Sequence, residues 1–451
     1  MAASPDTSHV APPRPRVETM KFDSDPIYMI GRHACTVTRW CITLAMPAAL
    51  GCELQAPATS APSKYLFVWA GPQEHDSSGA GAHHAASTDD FLAVVDADPA
   101  SGTYAKVVAS KDVGVPGAMA HHIELSLPAG HALFASDFMT GQVFLFDVTD
   151  PRAPRVSTRI DSVPGYRRPH SFARLANGHV LATLQFGSGS VPGDPGGLAE
   201  FDADGRLMRT SSAADARFAG ARIRSNGIEL LPAIDRVVTT SMPMDDERTA
   251  DVLQVWRLSD LRLLHTIALP VPAGDTVVHM PYDSRALPDG HSVMVNTYYC
   301  ELYRLFDLDT ENPRAEAVHP TRALHGEGCA VSAVVGHYLI VPAATAHEVV
   351  SFDVADPARP TEVSSLPVDS AFYPHWIAVD RGSDRIVINS SEQGEPRVLL
   401  AHVDRRTGKL SVDPKFREAG SVKPGISLDH EEWRRAGAAP TAHAAVFGGV
   451  R

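Results

Sequence analysis

Short apolar runs that end in an acidic turn recur along the chain from residue 64 onward. Aligned on the turn they read DFLAVVDADPASG, QVFLFDVTDPRAP, GLAEFDADGRL, LQVWRLSDLRL, LYRLFDLDTENP, VVSFDVADPARP and LLAHVDRRTGKL. Their equivalent positions are Asp96, Asp147, Asp202, Arg257, Asp307, Asp353 and Asp404, roughly fifty residues apart. Each run alternates or stays apolar and then breaks at Asp, Pro or Gly, which is the signature of a strand followed by a turn. Between the runs lies a second recurrent pattern: HHIELSLPAGHALFAS, HSFARLANGHVLATL, NGIELLPAIDRVVTTS, YDSRALPDGHSVMVN, CAVSAVVGHYLIVPA and HWIAVDRGSDRIVINS. Each of these reads as strand, tight turn, strand. No stretch carries a long helical periodicity.

A repeat of roughly fifty residues made of short strands has the size of a four-stranded propeller blade. Seven of them predict an all-β, seven-bladed β-propeller over residues 64–451, with the C-terminal run AHAAVFGG completing the ring. Two unrelated β domains would not space their turns so evenly. Closure also has a physical motive, because a ring covers the sheet faces and protects the strand edges.

In a propeller the innermost strand of each blade lines a central channel, so equivalent residues at the start of the second pattern converge on one axis. Those positions hold His122, His170, Asn226, Tyr282, Cys329 and His375; His279 lies just before Tyr282, and His443 opens the closing strand. Converging imidazoles suit Cu, Zn, Fe or Ni, whereas Ca²⁺ or Mg²⁺ requires oxygen ligands. His121 adjoins His122. Neighbours on a regular strand point to opposite faces, so both can face one ion only across a bulge or a bend.

Of the chain's 451 residues 44% are hydrophobic, ample for a large core, and the formal charge of −13 argues against nucleic acid or an anionic membrane surface as partner. Residues 29–52, MIGRHACTVTRWCITLAMPAALGC, combine basic residues with an apolar run that has the length of a signal-peptide core. The run ends in Ala-Leu-Gly-Cys, similar to a bacterial lipoprotein box. These features predict a leader over residues 1–52, translation starting at Met20 or Met29, lipidation of Cys52 and a tether over 53–63. The expected location is the periplasm or cell envelope, with membrane contact only through the lipid.

The segments DFLAVVDADPASGTY, the His-His pair, VFLFDVTDPRAPRV, RPHSFARL, CAVSAVVGHY, YPHWIAVD and GKLSVDPKF, in this order, resemble the selenium-binding protein family, which includes copper-dependent methanethiol oxidases. The likeness spans roughly residues 64–447. It implies a seven-bladed propeller holding copper through His121, His122, His170 and His443, with His375 as a further pocket residue. It also implies oxidation of a small thiol by O₂ to an aldehyde, hydrogen sulfide and hydrogen peroxide. The chain departs from the long family members in three places. The segment YLFVWAGPQEHDSSGAGAHHAASTDDFL lacks the cysteine associated with selenium, the C-terminal TAHAAVF is short, and Ile123-Glu124 follows the pair. Glu124 is then a candidate to orient an imidazole or accept a proton. Two rival functions are a non-catalytic propeller that binds copper or a partner protein, and a calcium-dependent lactonase-like hydrolase. Lesser candidates are His83 and His84 in a Gly/Ser-rich stretch, the acidic run Asp245-Asp246-Glu247, His325, and Cys300 and Cys329, whose pairing sequence alone leaves open.

Overall fold

In the computed structural model, each of the seven turn positions sits at or just beyond the end of the third strand of an antiparallel sheet of four strands, to which the last blade adds the short strand Ile426–Ser427. The described residues are 62–72, 90–115, 117–187, 189, 193–244, 249–271, 277–319, 326–391, 393–434 and 439–448. Blade 2 shows the plan: an inner strand Ala120–Ile123, then Leu133–Asp137, Val143–Asp147 and an outer strand Arg155–Ile160. Blades 3 to 7 repeat it over 166–212, 225–268, 281–319, 333–367 and 374–412. Blade 1 joins the two ends of the chain. Its inner strand is Pro440–Gly448, followed outward by Tyr65–Pro72, Phe91–Asp96 and Val107–Asp112. The all-β, seven-bladed propeller expected from the repeats is therefore the observed fold. Among the described residues the helical elements are two 3₁₀ turns, Ala216–Phe218 and Pro232–Ile234.

The recurrent aspartate has a local cause. Asp147 Oδ1 accepts the Thr149 N–H at 3.0 Å, Asp353 Oδ1 that of Ala355 at 2.9 Å, and Asp404 Oδ1 that of Arg406 at 2.8 Å. Each carboxylate thus caps the amide two residues on and shapes the turn to the outer strand. Burial follows the same order. The second and third strands are covered on both faces by adjacent blades and are buried along nearly their whole length, as in VFLFD. The outer strands Arg155–Ile160 and Leu207–Ser212 alternate in exposure because only one face is covered.

Blade 1 is tied to both neighbours. The Trp69 indole N–H donates to the Ser136 carbonyl of blade 2 at 2.9 Å, and the Trp376 indole of blade 7 donates to the Ala445 carbonyl at 2.8 Å. Buried Arg385 pairs with Asp380 at 2.7 Å and donates to the carbonyls of Ser63 and Ala97, while the Ser63 hydroxyl donates to Asp380. A Cys300–Cys329 disulfide, with Cα atoms 5.0 Å apart, joins a turn of blade 5 to the segment leading into blade 6. It closes a loop with a sequence separation of 29 residues, for which chain entropy gives about 3–4 kcal/mol. Reduction, or a Cys300→Ala/Cys329→Ala pair, is expected to lower unfolding free energy by about that amount. Denaturant midpoints with and without dithiothreitol provide the check, and equal midpoints would contradict it.

Candidate metal centre

The axial residues are bulge residues. In blade 2, Ala120 pairs with Asp137 and Ile123 with Ala135, so His121 and His122 together oppose Ser136. In blade 3, Pro169 pairs with Leu184 and Phe172 with Ala182, leaving His170 and Ser171 opposite Thr183. Asn226 and Gly227 oppose Thr240 in the same way. In blades 5, 7 and 1 a single inserted residue breaks the register: Tyr282, His375 and His443. A bulge interrupts the strict alternation of side chains. That is why adjacent His121 and His122 can share a face, and their rings stack at 4.5 Å with an interplanar angle of 9°.

A hydroxyl on the second strand holds each of the first three bulges. Ser136 Oγ accepts the His122 N–H at 3.0 Å and lies 3.3 Å from the His170 carbonyl of the next blade. Thr183 Oγ1 accepts from Ser171 N at 2.9 Å and donates to the Asn226 carbonyl at 2.7 Å. Thr240 Oγ1 accepts from Gly227 N at 2.9 Å and donates to the Tyr282 carbonyl at 2.7 Å. One small polar side chain therefore sets the bulge of its own blade and anchors that of the next. The sequence carried a signal for this, a Ser or Thr at the equivalent place in the second strands LFASD, VLATLQFG and RVVTTS.

Five histidines meet on the axis. Ring centroids of His121 lie 4.6 Å from His170 and 4.3 Å from His443; His122 lies 4.0 Å from His170, and His375 lies 4.9 Å from His443. Candidate ligand nitrogens form two overlapping groups, His121–His122–His170 and His122–His375–His443, each within 4.8 Å. His121, His122, His170 and His443 are buried, and His375 is half-buried. Burial holds His121 and His122 well below the ordinary histidine range, and neighbouring imidazoles add to the effect. Burial likewise lowers His170 to about 3. All three are neutral at pH 7 and keep a lone pair to offer.

The donor set fits a transition metal. His121 Nδ1 and Nε2, His122 Nε2 and His170 Nε2 are buried without a hydrogen-bond partner. A buried polar atom left so costs about 1–3 kcal/mol, and an ion among these nitrogens removes that cost. Ser171 Oγ lies 2.9 Å from Nδ1 of His122 and 2.9 Å from Nδ1 of His170. One hydroxyl thus engages both Nδ1 atoms and turns both Nε2 atoms inward, the usual support for a metal-binding imidazole. Ser171 was absent from the residues singled out by sequence.

Other candidates lie elsewhere or are engaged. Glu124 is engaged by the neighbouring blade. Its carboxylate forms a buried two-pronged pair with Arg174, at 2.6 and 2.7 Å, and accepts the Phe134 N–H at 3.1 Å. A carboxylate committed in this way clamps blade 2 to blade 3, and its burial raises its pKa against the opposing pull of Arg174. Cys329, expected at an axial position, is in the disulfide. His279 belongs to a separate buried group, 3.0 Å from Glu301. Asn226 donates to the Tyr282 carbonyl at 2.8 Å. Cys52 with the leader and most of the tether, His83, His84, Asp245-Asp246-Glu247 and His325 lie outside the described residues.

Fold and site together define a seven-bladed β-propeller with an all-histidine pocket on its axis. No family model and no curated protein matches the chain. Among solved structures it is similar to a hypothetical selenium-binding protein from Sulfolobus tokodaii, with 14% identity, a TM-score of 0.64, and coverage of 86% of this chain and 94% of that one. It is also similar to a putative 6-phosphogluconolactonase from Bacteroides uniformis (12% identity, TM-score 0.52, 78% and 96% covered). A functionally unknown protein from Desulfotomaculum acetoxidans is a third such neighbour (10%, 0.51, 78% and 99%). At these identities the likeness is one of fold.

Two outcomes follow from the geometry. Ser171→Ala is expected to weaken metal affinity about 10–100-fold, measured by chelator competition; unchanged affinity would remove the bridging role. In metal-free protein the unfolded chain binds protons on these histidines below pH ~6.5, whereas the folded chain, with its lowered pKa values, does not. Stability should therefore fall as pH drops from about 6.5, and replacing His121 by Phe should flatten that slope in denaturant titrations.

Proposed function

We propose that this protein is a copper-dependent oxidase of a small thiol, acting outside the cytoplasm and related to the selenium-binding proteins. The observation that carries the reading is the convergence of His121, His122, His170, His375 and His443, three of them with nitrogens that lack hydrogen-bond partners. An all-imidazole set selects Cu, Zn, Fe or Ni over the hard cations, and resemblance to the methanethiol oxidases favours copper among these. His121, His122, His170, His375 and His443 would hold the copper, which would supply thiolate binding and a path for electrons to dioxygen.

The chain's own residues perform the supporting work. Ser171 orients His122 and His170, and Trp376 packs edge-on against His122 at 5.0 Å. A narrow cavity beside the centre, lined by His122, Ser171, Ile228, Asp283, Arg285 and Trp376, limits water around the reacting atoms. The net conversion is RCH₂SH + O₂ + H₂O to RCHO, H₂S and H₂O₂, in which carbon loses two electrons and dioxygen gains them. The buried disulfide supports an oxidising compartment, in line with an exported, Cys52-lipidated protein. A lactonase-like hydrolase has less support, because the axial set is imidazole and Asn226 already bonds within the ring.

Protein isolated from its native compartment is expected to hold about one copper per chain and to release peroxide and sulfide when ethanethiol is added. His170→Ala should lose both copper and peroxide release. Copper without peroxide would instead establish a copper-binding scaffold, stoichiometric calcium a hydrolase, and no metal a protein-interaction scaffold.

A further inference from the structure

Blade 6 interrupts the relay that links one bulge to the next. In blades 2 to 4 a hydroxyl of the second strand reaches the bulge of the following blade. In blade 5 the Asn296 side-chain amide takes over, donating to the carbonyls of Cys329 and Ala330 at 2.8 and 2.9 Å. Ser136, Thr240 and Asn296 each stand next to last in their strand. In blade 6 that place in Tyr338–Ala343 belongs to Pro342, whose side chain has no donor to offer. The bulge of blade 7, which carries His375, is reached in another way.

It is reached by the four residues from Cys329 to Ser332, a strap leading into the short inner strand Ala333–Val335. The Val331 N–H donates to the His375 carbonyl at 3.0 Å, and the Val331 carbonyl accepts the Ile377 N–H at 3.0 Å. This parallel bridge brackets Trp376 and fixes the backbone on both sides of it. The other three strap residues are fastened to blade 5. Cys329 is bonded to Cys300, and its N–H donates to the Tyr298 carbonyl at 3.1 Å. Ala330 is held by Asn296. The Ser332 N–H donates to Asp283 at 2.9 Å, and its carbonyl accepts from Arg285 at 2.7 Å. All four residues are buried. Tyr282 of blade 5 also meets the His375 ring edge-on, with centroids 6.2 Å apart. A histidine of blade 7 thus takes its position from blade 5, across blade 6.

We propose that the Cys300–Cys329 disulfide and Asn296 are positioning elements for His375. By fixing the strap they hold its imidazole with those of His122 and His443, and so set the metal affinity of that second histidine group. The proposal rests on the metal-binding half of the oxidase reading. It gives the disulfide a role beyond stability, because its effect on the metal passes through one side chain.

Copper affinity, read by chelator competition, is to be compared in wild type, Cys300→Ala/Cys329→Ala, His375→Gln and the combined variant. Removing the disulfide is expected to weaken copper binding about tenfold while His375 is present. Once His375 is glutamine, the same removal should cost about twofold or less. A fall of equal size in both backgrounds, or no fall in either, would overturn the proposal. Hydrogen exchange of metal-free protein gives a second reading. The Val331 and Ile377 amides should exchange faster without the disulfide, while the His122 amide, bonded to Ser136, keeps its rate. Unchanged exchange at Val331 and Ile377 would overturn the proposal too. Should the double cysteine variant not fold, Asn296→Ala keeps the disulfide and is expected to show the same dependence on His375. Copper held in this pattern with no thiol oxidised would end the oxidase reading and leave the strap standing. Thiol oxidation, with copper affinity in the cysteine variant equal to wild type, would end the strap and leave the oxidase.

Discussion

Antiparallel pairing of Pro440–Gly448 with Tyr65–Pro72 closes the ring, and both fold and site depend on it. Without that pairing Tyr65–Pro72 is an open edge and blade 1 lacks its inner strand. The same contact delivers His443 to the axis, because the register slips at Trp69/Ala70 and extrudes the histidine from the ladder. Trp376 and Trp69 then fix blade 1 to its neighbours through indole hydrogen bonds to backbone carbonyls. Closure thus adds His443 to the group that blades 2 and 3 already form.

Bulges convert this ring into a chemical site. A regular inner strand would send alternate side chains into the gaps between blades, where only apolar groups pack well. An inserted residue at the same level in six blades turns six backbones toward the axis. The hydroxyls of Ser136, Thr183 and Thr240 keep those backbones in place, each reaching from one blade to the next. Precision on the axis thus comes from hydrogen bonds one strand away from it.

Charge is distributed by the same logic. The buried ion pairs Glu124–Arg174, Asp283–Arg285 and Asp380–Arg385 sit at or beside seams between blades, with further bonds to backbone groups. Buried pairs contribute little unless their remaining donors and acceptors are satisfied, and here carbonyls and amides supply those partners. Burial keeps His121, His122 and His170 uncharged, while guanidiniums cluster at Phe186.

Much of this was legible in the chain itself. Strand-and-turn chemistry is local, so the seven turns, the two alternating patterns and hence the blade count follow from residues near one another, as the Asx turns at Asp147, Asp353 and Asp404 illustrate. The axial level of His122, His170 and His375 was readable because repeats superpose. Other features were not, because they join residues distant in the chain. Glu124 was a candidate to orient an imidazole or accept a proton, and its pairing with Arg174 of the next blade became visible only in the fold; Ser171 gained its role only when two strands brought two Nδ1 atoms to one hydroxyl. Cys300 and Cys329 became partners only once blades 5 and 6 were set side by side. Periodicity decided which strands form and how many blades they make; which side chains meet was left to ring closure and bulge register, because contacts across the axis have no local sequence signature.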